Sequence, residues 1–261
     1  MAATSERTVI LWNGAVNAHV KVAGQGPALI YLHDGYGLIW DECLDLLARD
    51  FTVYAPEHPG TSAGDPDAVK PLDDLWDLVL YYYELFDKLG LESPAVMGHS
   101  FGGMVAAELA ATNQKRVSKL ALVDPLGLWR DDAPIKNYMV MPQAELDSLL
   151  FADANHPARK LVFMNPEEPD SVIRVTWNLG CTGKFIWPLP DKGLRKRIHR
   201  VAAPTLILWG KQDSLTPPVY AEEFKTLIPH ARVEMIDKAG HMAPLEQPAT
   251  IAQLVRDFVK G

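Results

Sequence analysis

Short apolar runs alternate along the chain with longer stretches in which apolar positions return every three or four residues. The first pattern suits strands buried on both faces, and the second suits helices laid across them. Residues 8–12 and 18–22 predict an opening pair of strands, and Gly24-Gln25-Gly26-Pro27 predicts a turn. Ala28–Leu32 is apolar throughout and predicts a strand covered on both sides, followed by a short helix over 38–48 and a strand over 51–55. Residues 56–71, rich in Pro, Gly and Asp, read as a loop. A helix over 73–89 has an acidic start and Gly90 as its stop. A strand over 95–98, a very tight turn, a helix over Phe101–Thr112 and a strand over 117–123 follow, closed by Asp124-Pro125. The alternation resumes with a strand over 205–209, a helix over 217–227, a strand over Arg232–Ile236 and a last helix over Pro248–Lys260. This order predicts an α/β fold, a mostly parallel sheet flanked by helices.

From about residue 128 to 201 the alternation breaks down. The stretch carries Trp129, Trp177 and Trp187, several prolines and many charges, with no repeat and no low complexity. Flanked by clean strand patterns, it is expected to be a helical cap inserted into the sheet domain. The organisation is then a core of residues 1–127 and 202–261 with a cap of 128–201.

A chain of 261 residues can bury one well-formed core. The formal net charge of -8 argues against nucleic acid or an anionic membrane as the main partner. Cys43 and Cys181 are too few for a disulfide framework and are expected as buried free thiols. There is no zinc-finger spacing of Cys and His and no His-Glu-x-x-His, so no metal site is expected. The first residues lack a basic segment followed by an apolar core, and no apolar run is long enough to span a bilayer. A cytoplasmic location without a membrane partner is the expectation, and the oligomeric state is left open.

Gly98-His99-Ser100-Phe101-Gly102 fits Gly-x-Ser-x-Gly between an apolar strand and an amphipathic helix. A serine on such a turn is lifted above the carboxyl edge of the sheet, with a helix N-terminus behind it that favours developing negative charge. A serine hydroxyl is a weak nucleophile near neutral pH and needs a base within hydrogen-bond reach. His241, in Ala239-Gly240-His241-Met242 just after the last strand, is the candidate base. His99 is the rival, but adjacent residues on a tight turn point apart, which suits it to packing. The base needs an acid to fix its tautomer and stabilise the imidazolium. Asp213, in Gly210-Lys211-Gln212-Asp213, is the first candidate, and Asp124 at the end of the preceding strand competes with it. Backbone N–H groups of Phe101 and Gly35 are the candidate oxyanion donors, Gly35 lying in the loop His33-Asp34-Gly35-Tyr36-Gly37.

These segments, with Pro56-Glu57-His58-Pro59-Gly60-Thr61-Ser62 and Glu246-Gln247-Pro248, resemble the α/β-hydrolase superfamily over nearly the whole chain. The resemblance implies a catalytic order Ser, Asp, His along the sequence and a mechanism without cofactor or metal. It also implies a reaction among those of carboxylesterases, enol-lactonases, cofactor-free perhydrolases and carbon–carbon bond hydrolases of ring-cleavage products. Ser100 disfavours epoxide hydrolases and haloalkane dehalogenases, which use Asp there. Met242 counts against the carbon–carbon hydrolases, which commonly carry Trp after the catalytic His. Where relatives often show His-Gly, this chain has His33-Asp34-Gly35. The expected activity is hydrolysis of a small-molecule carboxylic ester, with the cap residues Trp129, Trp177 and Trp187 as candidate substrate contacts. A carbon–carbon hydrolase or enol-lactonase with the same triad, and a slow or non-catalytic hydrolase-fold receptor, are the alternatives.

Overall fold

β-Branched and other apolar residues dominate the segments that become strands, and the interior ones are buried along their length. In the computed structural model, which describes residues 3–61, 64–165 and 167–261, the chain runs in this order. β1 (Ser5–Leu11), β2 (Val16–Ala23), β3 (Ala28–Leu32), α1 (Glu42–Leu47), β4 (Thr52–Pro56) and α2 (Leu75–Lys88) come first. β5 (Ala95–His99), α3 (Phe101–Thr112) and β6 (Lys119–Val123) form the middle of the sheet. α4 (Gln143–Leu150), α5 (Arg159–Val162) and α6 (Pro169–Ile186) lie between β6 and β7 (Thr205–Gly210). α7 (Val219–Leu227), β8 (Arg232–Ile236), α8 (Ala243–Glu246) and α9 (Pro248–Lys260) end the chain.

Among the described residues the strands form one eight-stranded sheet in the order β1-β2-β4-β3-β5-β6-β7-β8. β1 pairs antiparallel with β2, and β2 antiparallel with β4; every other pairing is parallel. The expected α/β architecture, a mostly parallel sheet with helices on it, is what the structure has. β6 and β7 are direct neighbours, with Leu120 opposite Thr205 and Val123 opposite Leu208. The chain therefore leaves the sheet at the carboxyl end of β6 and, after the helical insertion, re-enters directly beside it at the amino end of β7.

Several element limits differ from the sequence reading. The helix expected over 38–48 begins only at Glu42, because the Asp41 carboxylate accepts from the Leu44 amide at 2.9 Å and caps it there. The loop over 56–71 contains a 3-10 turn at Pro66–Val69, started by Asp65. α2 starts after Asp74, whose side chain accepts from Trp76 and Asp77. Ser62 lies outside the described residues.

α3 is the central helix and is buried from Phe101 to Ala111. Its small residues permit this: a Cβ at Gly102 would collide with the Leu32 carbonyl, and one at Gly103 would come within 2.8 Å of Pro125. One charge is buried on it, Glu108, held by a two-pronged contact from Arg197 at 2.8 and 2.5 Å. That contact fixes the chain where it returns from the insertion to β7.

Candidate active site

Four strand ends supply the site. β5 ends at His99, and Ser100 follows at φ 52°, ψ −115°, a backbone conformation that L-residues rarely adopt. The neighbours hold it there. The Ser100 amide donates to Val123 O at 2.9 Å, and its carbonyl accepts from Met104 N at 3.1 Å and Leu126 N at 3.0 Å. A Cβ at Gly98 would strike the Gly102 carbonyl, so the turn is closed to any larger residue there.

The loops after β7 and β8 meet beside it. The Gly210 backbone passes so near Gly240 O that a side chain at 210 has no room. His241 Nε2 lies 2.8 Å from Ser100 Oγ, and His241 Nδ1 lies 2.8 Å from Asp213 Oδ2. Asp213 Oδ1 is itself fixed by the amides of Leu215 and Thr216, each at 2.9 Å. Ser100, Asp213 and His241, the three residues expected from the motif and loop positions, are thus brought together. Each is buried: Ser100 is 3% exposed and His241 1%.

Asp124 is equally close to this group but plays another part. Its Oδ1 accepts from Gly210 N at 2.8 Å, and its Oδ2 has no partner among the described residues unless it carries a proton. Burial, reinforced by the adjoining charge of Asp213, pushes this carboxyl well above the usual carboxylate range. A proton on Asp124, donated towards Asp213, satisfies that second oxygen. His99 faces away from Ser100, with Nε2 2.7 Å from the His241 carbonyl and Nδ1 3.4 Å from Asp34 Oδ2.

The Phe101 amide opens α3 and so has no acceptor within the helix. Gly35 lies in the loop after β3, which two histidines hold. His58 N donates to His33 Nε2 at 2.9 Å, which leaves the proton of His33 on Nδ1, 2.6 Å from Asp34 O. His58 Nε2 lies 2.8 Å from His33 O, and its Nδ1 accepts from the Tyr82 hydroxyl at 2.5 Å. Both rings are therefore neutral and locked in opposite tautomers. Burial keeps them so: His58 is lowered to about 4, and His33 falls well below the usual histidine range.

Some contributors carry no sequence motif. Thr216 Oγ1 lies 2.8 Å from His241 Nδ1, and Glu246 accepts from Gly240 N at 2.7 Å and Ala152 N at 2.8 Å. Glu246 thereby joins the histidine loop to the insertion.

The chain belongs to the alpha/beta hydrolase family. The family's model matches residues 28–254, which take in every strand from β3 to β8 and the buried Ser100, Asp213 and His241. This hydrolase is 29% identical over 255 residues to the dihydrolipoyllysine-residue acetyltransferase component of the acetoin cleaving system of Cupriavidus necator. That match covers 93% of this chain and 66% of the relative. A pimeloyl-[acyl-carrier protein] methyl ester esterase of Vibrio parahaemolyticus is 24% identical over 270 residues, covering 94% of this chain and 99% of the other. Among solved structures, the 2-hydroxy-6-oxo-6-phenylhexa-2,4-dienoate hydrolase of Rhodococcus sp. strain RHA1 superposes with a TM-score of 0.74 at 21% identity, covering 100% of both chains. No helix among the described residues is long and apolar enough to cross a membrane.

The tryptophans of the insertion fall elsewhere. Trp177 is 46% exposed, donates from Nε1 to Gly60 O at 2.7 Å, and lines an open apolar cleft of about 520 Å³ with Val69, Ile173 and Cys181. Trp187 is 51% exposed and shares a smaller cleft of about 130 Å³ with Trp129. Neither cleft has Ser100, Asp213 or His241 in its wall. Cys43 and Cys181 are both free and buried, as expected.

Proposed function

We propose that this hydrolase cleaves carboxylic esters of small molecules by acyl transfer through Ser100. The observation that carries the reading is the unbroken chain Ser100 Oγ to His241 Nε2, then His241 Nδ1 to Asp213, at 2.8 Å each. His241 takes the hydroxyl proton as Ser100 Oγ attacks the carbonyl carbon. The oxyanion of the tetrahedral intermediate rests on the N–H groups of Phe101 and Gly35. The intermediate collapses with loss of the alcohol, protonated by His241. Water, deprotonated by the same ring, then attacks the acyl-enzyme and releases the acid and free Ser100. Asp213 holds the ring's Nδ1 proton throughout, and the scheme uses no cofactor or metal.

The insertion over 128–201 serves in this reading as a cap that selects the substrate. The methyl ester esterase relative supports ester cleavage, and the dienoate hydrolase supports a carbon–carbon bond hydrolase as the second reading, with the same three residues. A short-chain ester and a dienoate diketo acid, offered separately, tell the two apart.

The test is covalent labelling. An organophosphate should modify one residue, Ser100, in a one-to-one ratio, and Ser100→Ala should lose both labelling and turnover while its circular dichroism stays that of the wild type. Labelling at another residue, or full ester turnover by the alanine variant, refutes the mechanism.

A further inference from the structure

Buried hydroxyl groups nearly always find a hydrogen-bond partner. Two phenols beside the Gly35 loop do not: Tyr36 Oη and Tyr138 Oη have none among the described residues, although Tyr36 is 2% exposed and Tyr138 4%. The two come from different parts of the chain. Tyr36 follows Gly35 directly, and Tyr138 arrives from the insertion, before α4. Their rings stand 6.0 Å apart. Tyr138 Oη lies 3.2 Å from the point a Cβ on Gly35 would occupy, with Thr182 closing the same space from α6. A side chain at 35 would fill this space; glycine leaves it open.

A buried phenol left without a partner is costly. Two on adjoining rings, beside the loop whose amide is assigned to the oxyanion, point to an occupant that accepts from both. We propose that Tyr36 and Tyr138 form a donor pair that receives an uncharged oxygen of the substrate's acyl group, close to the scissile carbonyl, so that the preferred esters are those of 2-hydroxy or 3-oxo acids. The proposal rests on the ester-hydrolase reading above and names its substrate class.

The chemistry of the pocket sets the class. Burial and the charge of Asp34 push both phenols up, so they are donors at any working pH. Asp34 is the carboxylate that acts on both phenols, and its Oδ1 accepts from Tyr36 N at 2.6 Å. A substrate carboxylate placed there meets the like charge of Asp34, whereas a ketone or hydroxyl meets two donors. The short distance from Tyr138 Oη to Gly35 confines that oxygen to within a few bonds of the carbonyl whose oxygen the Gly35 amide receives.

The test compares ethyl butyrate, ethyl 2-hydroxybutyrate, ethyl 3-oxobutyrate and monoethyl succinate by pH-stat, each rate divided by its rate with hydroxide. Wild type should favour at least one of the two oxygenated esters over ethyl butyrate by about tenfold or more in kcat/KM, and should turn over monoethyl succinate slowest. Tyr138→Phe and Tyr36→Phe should each cut that preference about tenfold. An unchanged preference in both variants overturns the subsite. So does an equal loss on all four esters, which would make the phenols general supports of the oxyanion. If wild type cleaves none of the esters, the ester-hydrolase reading fails by itself. The subsite is then judged on Ser100→Ala by calorimetry with ethyl 3-oxobutyrate, ethyl 2-hydroxybutyrate and ethyl butyrate. Tighter binding of an oxygenated ester that Tyr138→Phe abolishes upholds the subsite, and equal affinity or binding of none overturns it.

Discussion

Two aspartates end adjacent strands, and the sequence leaves either as the acid of the triad. At the scale of the residue the difference lies in what each oxygen touches. Asp213 places one oxygen on His241 and commits the other to two amides, so it is held in one orientation. Asp213→Asn keeps the shape but presents an amide that favours the wrong imidazole tautomer, and it should cost about three to four orders of magnitude in kcat. Asp124→Asn is expected to lose far less. Its carbonyl oxygen can still accept from Gly210, and its NH₂ can still donate towards Asp213, as the protonated acid does. Measuring kcat for both on one short-chain ester decides the matter; a near-dead Asp124→Asn beside an active Asp213→Asn reverses the assignment. Ser100 and the histidine after β8 were legible because Gly-x-Ser-x-Gly and Gly-His sit at strand ends, where local sequence dictates geometry. Tyr138 and Thr216 were not, since a residue brought to a site by long-range packing carries no local mark.

At the scale of the element, the loops after β3 and β4 are clamped together by His33 and His58. Each ring uses one nitrogen as donor and the other as acceptor, so adding a proton to either breaks a bond and charges a buried ring. His58 falls from its ordinary 6.5 to about 4 on folding, so between these values the unfolded chain binds more protons. Its contribution is complete above about pH 6.5 and drains away as the pH falls through about 4, up to about 3 kcal/mol in all. Glu57, raised to about 7 by burial, acts in the opposite sense. Comparison with His58→Gln cancels it. Urea unfolding from pH 7 to pH 4 should show wild type losing stability more steeply than the variant; parallel curves disprove the clamp. The strands themselves were read closely from their apolar runs. Residues 38–48 were not, because their apolar spacing continues back past Asp41, and only the cap reveals where the helix starts.

For the molecule as a whole, the contact between sheet and insertion matters most. Glu246 takes one amide from each side, Gly240 beside the base and Ala152 after α4. Glu246→Ala leaves the buried Gly240 N–H without its acceptor and unties the Ala152 N–H, and should cost about 2 kcal/mol, or about 4–8 °C in Tm. Calorimetry against Glu246→Gln, which retains one acceptor oxygen, checks it: the glutamine variant should melt between the other two, and an alanine variant that melts with wild type removes the joint. A break in alternation marks in the sequence the stretch between β6 and β7 that holds α4 to α6. Its inner face carries no such mark, because tryptophan serves equally well outside, as Trp177 and Trp187 do.

The direct pairing of β6 with β7 has a consequence in time. During synthesis the turn at Ser100 can form once β6 lies beside β5, but β6 then waits for an entire insertion to emerge before its other neighbour exists. Asp213 and His241 come later still, and α9 must close back on the first half, where Arg256 and Lys260 both reach Asp50. Such distant pairings form late because the loop entropy must be met first. A refolding chain therefore acquires its secondary structure well before its chemistry. Recovered hydrolase activity should lag the far-ultraviolet signal, and the length of that lag measures how slowly the two ends of the molecule find each other.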